Sequence, residues 1–248
     1  MTQAGSIEIT EKPRAAAAPR ARAGFLRQAF AVAAKDLRSE MRSKESVNAS
    51  LSFALVILLL FSLAFDPGSD QVREIAGGLL WLVFAFASAL ILNRSFAREL
   101  VNDCLDMLIS SPISAAQLFL GKAMANFVLL IVIECLCLPV FGIFYNVTWA
   151  RRFGLLFLVL VLGTWGLTVI GTLFSAMTVN LRLRELMLPT LVYPLIVPVL
   201  MGTIQLSMLL INGEPIGQDN QLWFRLLVAF DVIFTILSVA VVETVLVG

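Results

Sequence analysis

The chain has 248 residues, of which 59% are hydrophobic and only 14% charged, and its mean hydropathy is +0.92. Soluble domains run near about 45–50% apolar and about 25% charged, so this composition excludes a water-soluble enzyme as the default and excludes extensive disorder. The net charge of +1 gives no reason to expect a nucleic-acid partner, and histidine, the commonest metal ligand and near-neutral base, is absent. Cys104, Cys135 and Cys137 have no zinc-type spacing, so no metal site is expected.

Residues 1–23 are polar and rich in Ala and Pro, and read as a disordered tail. They lack the apolar core of a signal peptide. Residues 24–45 read as a helix, because Leu26, Phe30, Ala33, Leu37 and Met41 fall in one narrow arc at 3.6 residues per turn. Arg27, Lys35, Arg38 and Arg42 flank that arc. A narrow apolar stripe with a basic flank suits a helix lying at the membrane surface, and also a helix packed on a partner.

Six apolar runs follow, at about 47–65, 75–92, 123–144, 153–177, 188–211 and 222–247, together 134 residues or 54% of the chain. Each is long enough to cross a hydrocarbon core of about 30 Å at about 1.5 Å per residue. Lipid cannot satisfy backbone polar groups, so the spans should be helices. The expected fold is therefore all-α, a polytopic membrane protein of six transmembrane helices preceded by an interfacial amphipathic helix. Residues 24–248 form one transmembrane domain. Lys and Arg number 14 on the side of the N-terminus and three (Arg73, Arg151, Arg152) on the other, with Arg225 near the outer end of the last span. By the positive-inside rule both termini are cytoplasmic.

The connection 93–122 is the longest between spans. On a helix, Arg98, Glu99, Asn102, Asp103 and Asp106 share one side, and Phe96, Leu100, Cys104, Met107 and Leu108 the other. Pro112 forces a turn, and Ser114 is placed to cap a new helix that runs through Lys122 into the third span. Three carboxylates with one arginine fit a docking surface for a cytosolic protein better than a face lying on anionic lipid. No GxxxxGK[ST] sequence occurs, so an ATPase driving transport would be another chain.

Within the spans, Glu134 and Asp231 are costly in hydrocarbon and are functional candidates, while Glu243 can reach the interface. Pro189, Pro194 and Pro198 predict a kinked or broken fifth span, with Pro139 bending the third. Broken helices often line substrate sites, which makes Tyr193, Pro194 and Pro198 pathway candidates beside Glu134 and Asp231. Gly163, Gly166 and Gly171 predict close packing of the fourth span.

The stretch Arg94-Ser-Phe96, Arg98-Glu99, Asp103-Cys-Leu105-Asp106, Leu108-Ile109-Ser-Ser111-Pro112 and Gly121-Lys122 resembles the haem exporter protein B family, the membrane subunit of the haem exporter of cytochrome c maturation. Lys35 to Glu45, Leu188-Pro189, Tyr193-Pro194 and Ile196-Val197-Pro198 match it too, so the resemblance covers about residues 30–248. The sequence departs from the family at Cys104, where Gly is usual. The resemblance implies a non-catalytic permease subunit of the ABC-2-exporter type in the bacterial inner membrane. It also implies a separate ATPase partner that holds the ATP, and further haem-handling membrane subunits. Haem would then be cargo and not a covalently held cofactor. It further implies that Arg98, Glu99, Asp103, Leu105, Asp106 and Pro112 form a coupling helix seated on the ATPase. With no histidine, an axial imidazole for haem must come from a partner. The sequence leaves three rivals: an ABC permease for a lipid, polysaccharide or drug; a non-conducting subunit that tethers the ATPase; and a proton-coupled carrier using Glu134 and Asp231.

Overall fold

A helix satisfies its own backbone hydrogen bonds, and long apolar runs become helices for that reason. The computed structural model describes residues 24–67, 69–96, 113–146, 152–178, 184–218 and 220–247. Among them are seven helices and no strand: α1 (Phe25–Ser43), α2 (Glu45–Ala64), α3 (Asp70–Arg94), α4 (Ala115–Tyr145), α5 (Phe153–Thr178), α6 (Arg184–Ile211) and α7 (Gln221–Val247). Six of these, α2 to α7, are long and apolar enough to cross a membrane. The fold is the all-α polytopic one expected from the six runs. The 1–23 tail lies outside the described residues.

Local sequence fixes most helix ends. Ser69 caps α3 by accepting from the Val72 N–H at 3.3 Å. Ser114 and Gln117 form a reciprocal capping box at the start of α4, as the placing of Ser114 predicted. That cap starts the helix at Ala115, two turns before the predicted 123–144 run, so α4 reaches 31 residues. At about 1.5 Å per residue it is longer than a hydrocarbon core of about 30 Å is thick. Asn146, at φ 52°, closes α4 in the left-handed conformation.

The α1–α2 junction is a tight corner. Lys44 adopts φ 54°, and its N–H bonds the Glu40 carbonyl at 2.6 Å. The buried Glu40 carboxylate then accepts from the N–H groups of Ser46 (2.8 Å) and Val47 (3.1 Å). A side chain from the end of one helix thus satisfies the first free donors of the next.

Packing is layered. α3 and α5 are the most enclosed helices, whereas α2 and α7 lie at the edge. One apolar core joins Leu58, Trp81, Phe84, Ile133, Ile170 and Val199 across α2 to α6. The outside is apolar too: Leu63 and Ile143 are both 78% exposed, an arrangement suited to lipid and not to water. Glycines permit the close approaches. A Cβ on Gly77 would lie 2.7 Å from the Ile204 carbonyl oxygen, and one on Gly163 would strike Trp81 and Thr203. The close packing expected at Gly163, Gly166 and Gly171 is present.

Two expectations change. α1 buries Ala29 and Val32 against α4, where a Cβ on Gly121 would lie 2.7 Å from the Ala29 carbonyl oxygen. Its predicted stripe keeps Leu26, Phe30 and Met41 exposed, so α1 has a protein-facing side as well as an apolar outer side. The proline-rich fifth span is not broken: α6 is continuous from Arg184 to Ile211. α3 and α5 pack along it and hold it helical despite the missing donors.

Candidate functional site

Polar side chains inside an apolar bundle are costly unless paired, so their positions mark where a membrane protein departs from mere packing. Among the described residues, three places hold the predicted pathway residues, and α5 links two of them. Thr164, Thr168, Thr172 and Ser175 fall within an arc of about 80° on α5 at 3.6 residues per turn, and all four are buried. Across from them, α4 supplies Asn126 and Glu134. The Asn126 amide donates to Thr172 Oγ1 at 3.0 Å and to Ser95 Oγ at 2.9 Å. Eight residues along each helix, Thr164 Oγ1 donates to Glu134 Oε1 at 2.5 Å. Thr168 lies between, donating to the Thr164 carbonyl at 2.5 Å. The equal spacing on antiparallel helices makes a hydroxyl-lined seam from Asn126 to Glu134. Glu134 is 2% exposed, and its Oε2 has no hydrogen-bond partner among the described residues.

One turn before Asn126, Lys122 closes the end of this seam nearer the start of α4. It is 2% exposed, a rare place for lysine, and its ammonium is held from three directions. It donates to Asp36 Oδ2 of α1 at 3.2 Å and to the Ser95 carbonyl at 2.9 Å, and lies 4.7 Å from the centre of the Phe96 ring. Arg94, one residue before Ser95, pairs with Glu45 of α2 at 2.5 Å. The end of α3 is therefore fixed to α1, α2 and α4 at the point where the 97–112 connection departs. Sequence reasoning used Lys122 only as a marker for the start of the third span. Its signal was present, since one lysine followed by 22 residues with Glu134 as the sole charge is an unusual position for a cation.

The second position is Asp231 on α7. It contacts α5 at Gly166, where a Cβ would lie 2.8 Å from Asp231 Oδ1, and not at Thr164. Those two α5 positions point about 160° apart, so Glu134 and Asp231 lie on different sides of α5. Asp231 is 6% exposed, neither carboxylate oxygen has a partner among the described residues, and it lines an apolar lateral trough of about 410 Å³.

The third is Tyr193 on α6. Its hydroxyl donates to the Ala85 carbonyl of α3 at 3.2 Å, and its ring lines a small cavity of about 240 Å³ with Trp81, Phe86 and Leu200. Trp81 in turn donates to Ser207 Oγ at 2.9 Å. Pro194 and Pro198 are exposed on the outward face of α6. The five predicted pathway residues thus occupy separate places: an inner seam (Glu134), a lateral trough (Asp231), and the α3–α6 face with the outside of α6 (Tyr193, Pro194, Pro198). The predicted coupling residues Arg98, Glu99, Asp103, Leu105, Asp106 and Pro112 lie outside the described residues. Among the described residues no cluster of His, Cys, Asp and Glu is arranged to hold a metal.

The model of the CcmB protein family matches residues 27–247. The chain belongs to the CcmB protein family. The match covers α2 to α7 whole and all of α1 except its first two residues, and it excludes the 1–23 tail. Similar proteins include Heme exporter protein B of Rhodobacter capsulatus, 33% identical over 170 residues, which are 68% of this chain and 78% of that protein. Heme exporter protein B of Pseudomonas aeruginosa is 29% identical over 84% of this chain and 92% of its own length. The Paracoccus denitrificans protein of the same name is 31% identical over 67% of this chain and 76% of its own. Family membership agrees with the resemblance carried by the 94–122 and 188–198 motifs. The seam, the trough and the Lys122 node all lie within the matched residues.

Proposed function

We propose that this chain is the membrane permease subunit of an ABC transporter that exports haem for c-type cytochrome assembly. The observation that carries this reading is the family match across residues 27–247, joined by relatives whose names are Heme exporter protein B. Six apolar helices without a nucleotide-binding motif support a non-catalytic subunit that draws on a separate ATPase. The excess of Lys and Arg on the side of the N-terminus supports a bacterial inner-membrane setting with both termini cytoplasmic. The exposed stripe of Leu26, Phe30 and Met41 supports α1 lying at the inner membrane surface.

Coupling follows from how the end of α3 is held. An ATPase pressing on the predicted coupling residues Arg98, Glu99, Asp103, Leu105, Asp106 and Pro112 would push through Ser95 and Phe96. That push reaches Lys122, and so α4 and α1 together, as a rigid-body movement. Glu134 then lies two turns beyond Asn126 along the seam, placed to respond as α4 and α5 shift. Tyr193, with Pro194 and Pro198 on the outer side of α6, makes a second surface along which an apolar, planar cargo can move. Haem iron receives no imidazole from this chain, so any axial histidine belongs to one of the other membrane subunits of the complex.

The test is complementation of a strain that lacks its own copy of this gene. Wild-type chain should restore covalent haem staining of c-type cytochromes, and reversal of Asp103 and Asp106 to lysine should abolish both staining and co-purification of the ATPase. Normal staining in the deleted strain, or restored export of a lipid or drug without any change in cytochromes, refutes the haem reading. If variants of the spans that bind the ATPase normally and lose only the seam still support maturation, the chain is a tether and not a conduit.

A further inference from the structure

The trough beside Asp231 runs along α7 from Val228 through Val232 to Ile236, with Val161, Leu162 and Trp165 of α5 as its other wall. Eight residues of helix make it about 12 Å long. Its α7 rim faces outward, with Val232 54% and Ile236 66% exposed. At its base the Asp231 carboxyl is 94% enclosed, yet neither oxygen meets a donor among the described residues. The nearest indole offers none, since Trp165 Nε1 already donates to Thr235 Oγ1 at 3.0 Å. Gly166 leaves the room in which the carboxyl sits.

We propose that this trough is the seat of a transmembrane helix from a different polypeptide, which brings a hydrogen-bond-donating side chain to the depth of Asp231. The shape is that of a groove between two parallel helices, into which the ridge of a third helix fits. The chemistry requires a donor, because a carboxyl in hydrocarbon without one is strongly disfavoured and acyl chains carry none. A second copy docking through the same face by a two-fold contact would set Asp231 against Asp231 and bring no donor other than a shared carboxyl proton, so the chemistry favours a different polypeptide. The sole basic residue of α7 is Arg225, six residues and more than one turn from Asp231. The occupant is therefore a helix carrying Lys, Arg, Tyr, Trp, Ser or Thr facing Asp231, with small residues flanking it for close approach.

The test places a photo-crosslinking amino acid at Val232 and, separately, at Ile236, in the full chain expressed in its host membrane, with the crosslinked peptide sequenced. The expected adduct is one peptide from inside a membrane-spanning segment of another polypeptide that carries a donor side chain. Asp231→Leu should cut that adduct at least tenfold, whereas Asp231→Asn, which retains an acceptor, should cut it less than threefold. Val232→Trp, which fills a lipid-facing trough without touching the core, should remove the adduct formed from Ile236 and leave the melting temperature of the purified chain unchanged. Adducts to lipid alone, to a second copy of this chain, or to a helix whose capture ignores Asp231→Leu would overturn the proposal. None of these readouts depends on what is exported, so they separate this surface from the haem reading.

Discussion

Replacing Lys122 with methionine keeps the length of an apolar stem and removes the ammonium that joins α1, α3 and α4. The loss has three parts. Asp36 loses a cation at 3.2 Å, the Ser95 carbonyl loses a donor at 2.9 Å, and the Phe96 ring loses a cation 4.7 Å from its centre. Breaking a fully buried ion pair from one side costs about 3–5 kcal/mol. Asp36, however, is 23% exposed and keeps Lys35 at 3.1 Å, so its share is smaller. With a cation–π contribution of about 0.5–2 kcal/mol, the expected total is about 2–4 kcal/mol. For a chain of this size that lowers the melting temperature by roughly 5–10 °C. The assay is loss of the monodisperse peak on size exclusion after heating in mild detergent. Asp36→Asn combined with Lys122→Met should recover at least about half of the loss, because the stranded carboxylate is then neutral. A Lys122→Met protein melting within about 1 °C of wild type would refute the reasoning.

Other consequences can be checked by the same means. Glu134→Gln keeps an acceptor for Thr164 Oγ1 and removes only the ionisable group, so the fold should hold while c-type cytochrome yield falls; unchanged yield in Glu134→Gln would remove it from the pathway. Gly121→Ala should destabilise by about 1–3 kcal/mol, because its Cβ meets the Ala29 carbonyl at 2.7 Å, whereas Gly78→Ala has open space and should be neutral or stabilising. Equal melting temperatures for these two variants would contradict the α1–α4 packing. Ser207→Ala leaves the Trp81 indole N–H buried and unpaired and should cost about 1–3 kcal/mol; Trp81 fluorescence that neither shifts nor loses thermal stability would count against that bond.

The six spans were legible because length and uniform apolarity are local properties, and lipid leaves such runs one backbone solution. The Ser114 cap was legible for the same reason: a Ser followed three residues later by Gln is a local signature. What escaped was tertiary. Lys122 reads locally as a lysine at the foot of a span, and its burial depends on Asp36, 86 residues earlier. Glu134 and Asp231 look alike in sequence, each a lone acid in an apolar run. Only the pairing of α4 with α5 gives one of them Thr164, and only the α5–α7 packing leaves the other facing a trough. The prolines of α6 predicted a break because the sequence shows the missing donors and not the helices that brace it.

The 86 residues between Asp36 and Lys122 also set an order of events during synthesis. At about 5–20 residues per second, α1 waits roughly 4–17 s before its partner exists. Through that interval α1 has no α4 to cover Ala29 and Val32, and its stripe of Leu26, Phe30 and Met41 stays exposed as well. Chains stalled before residue 115 should therefore be cut by trypsin at Arg38 and Arg42 faster than chains that already carry α4, and equal cutting would show that α1 reaches its final state alone. The first helix made is among the last to be locked.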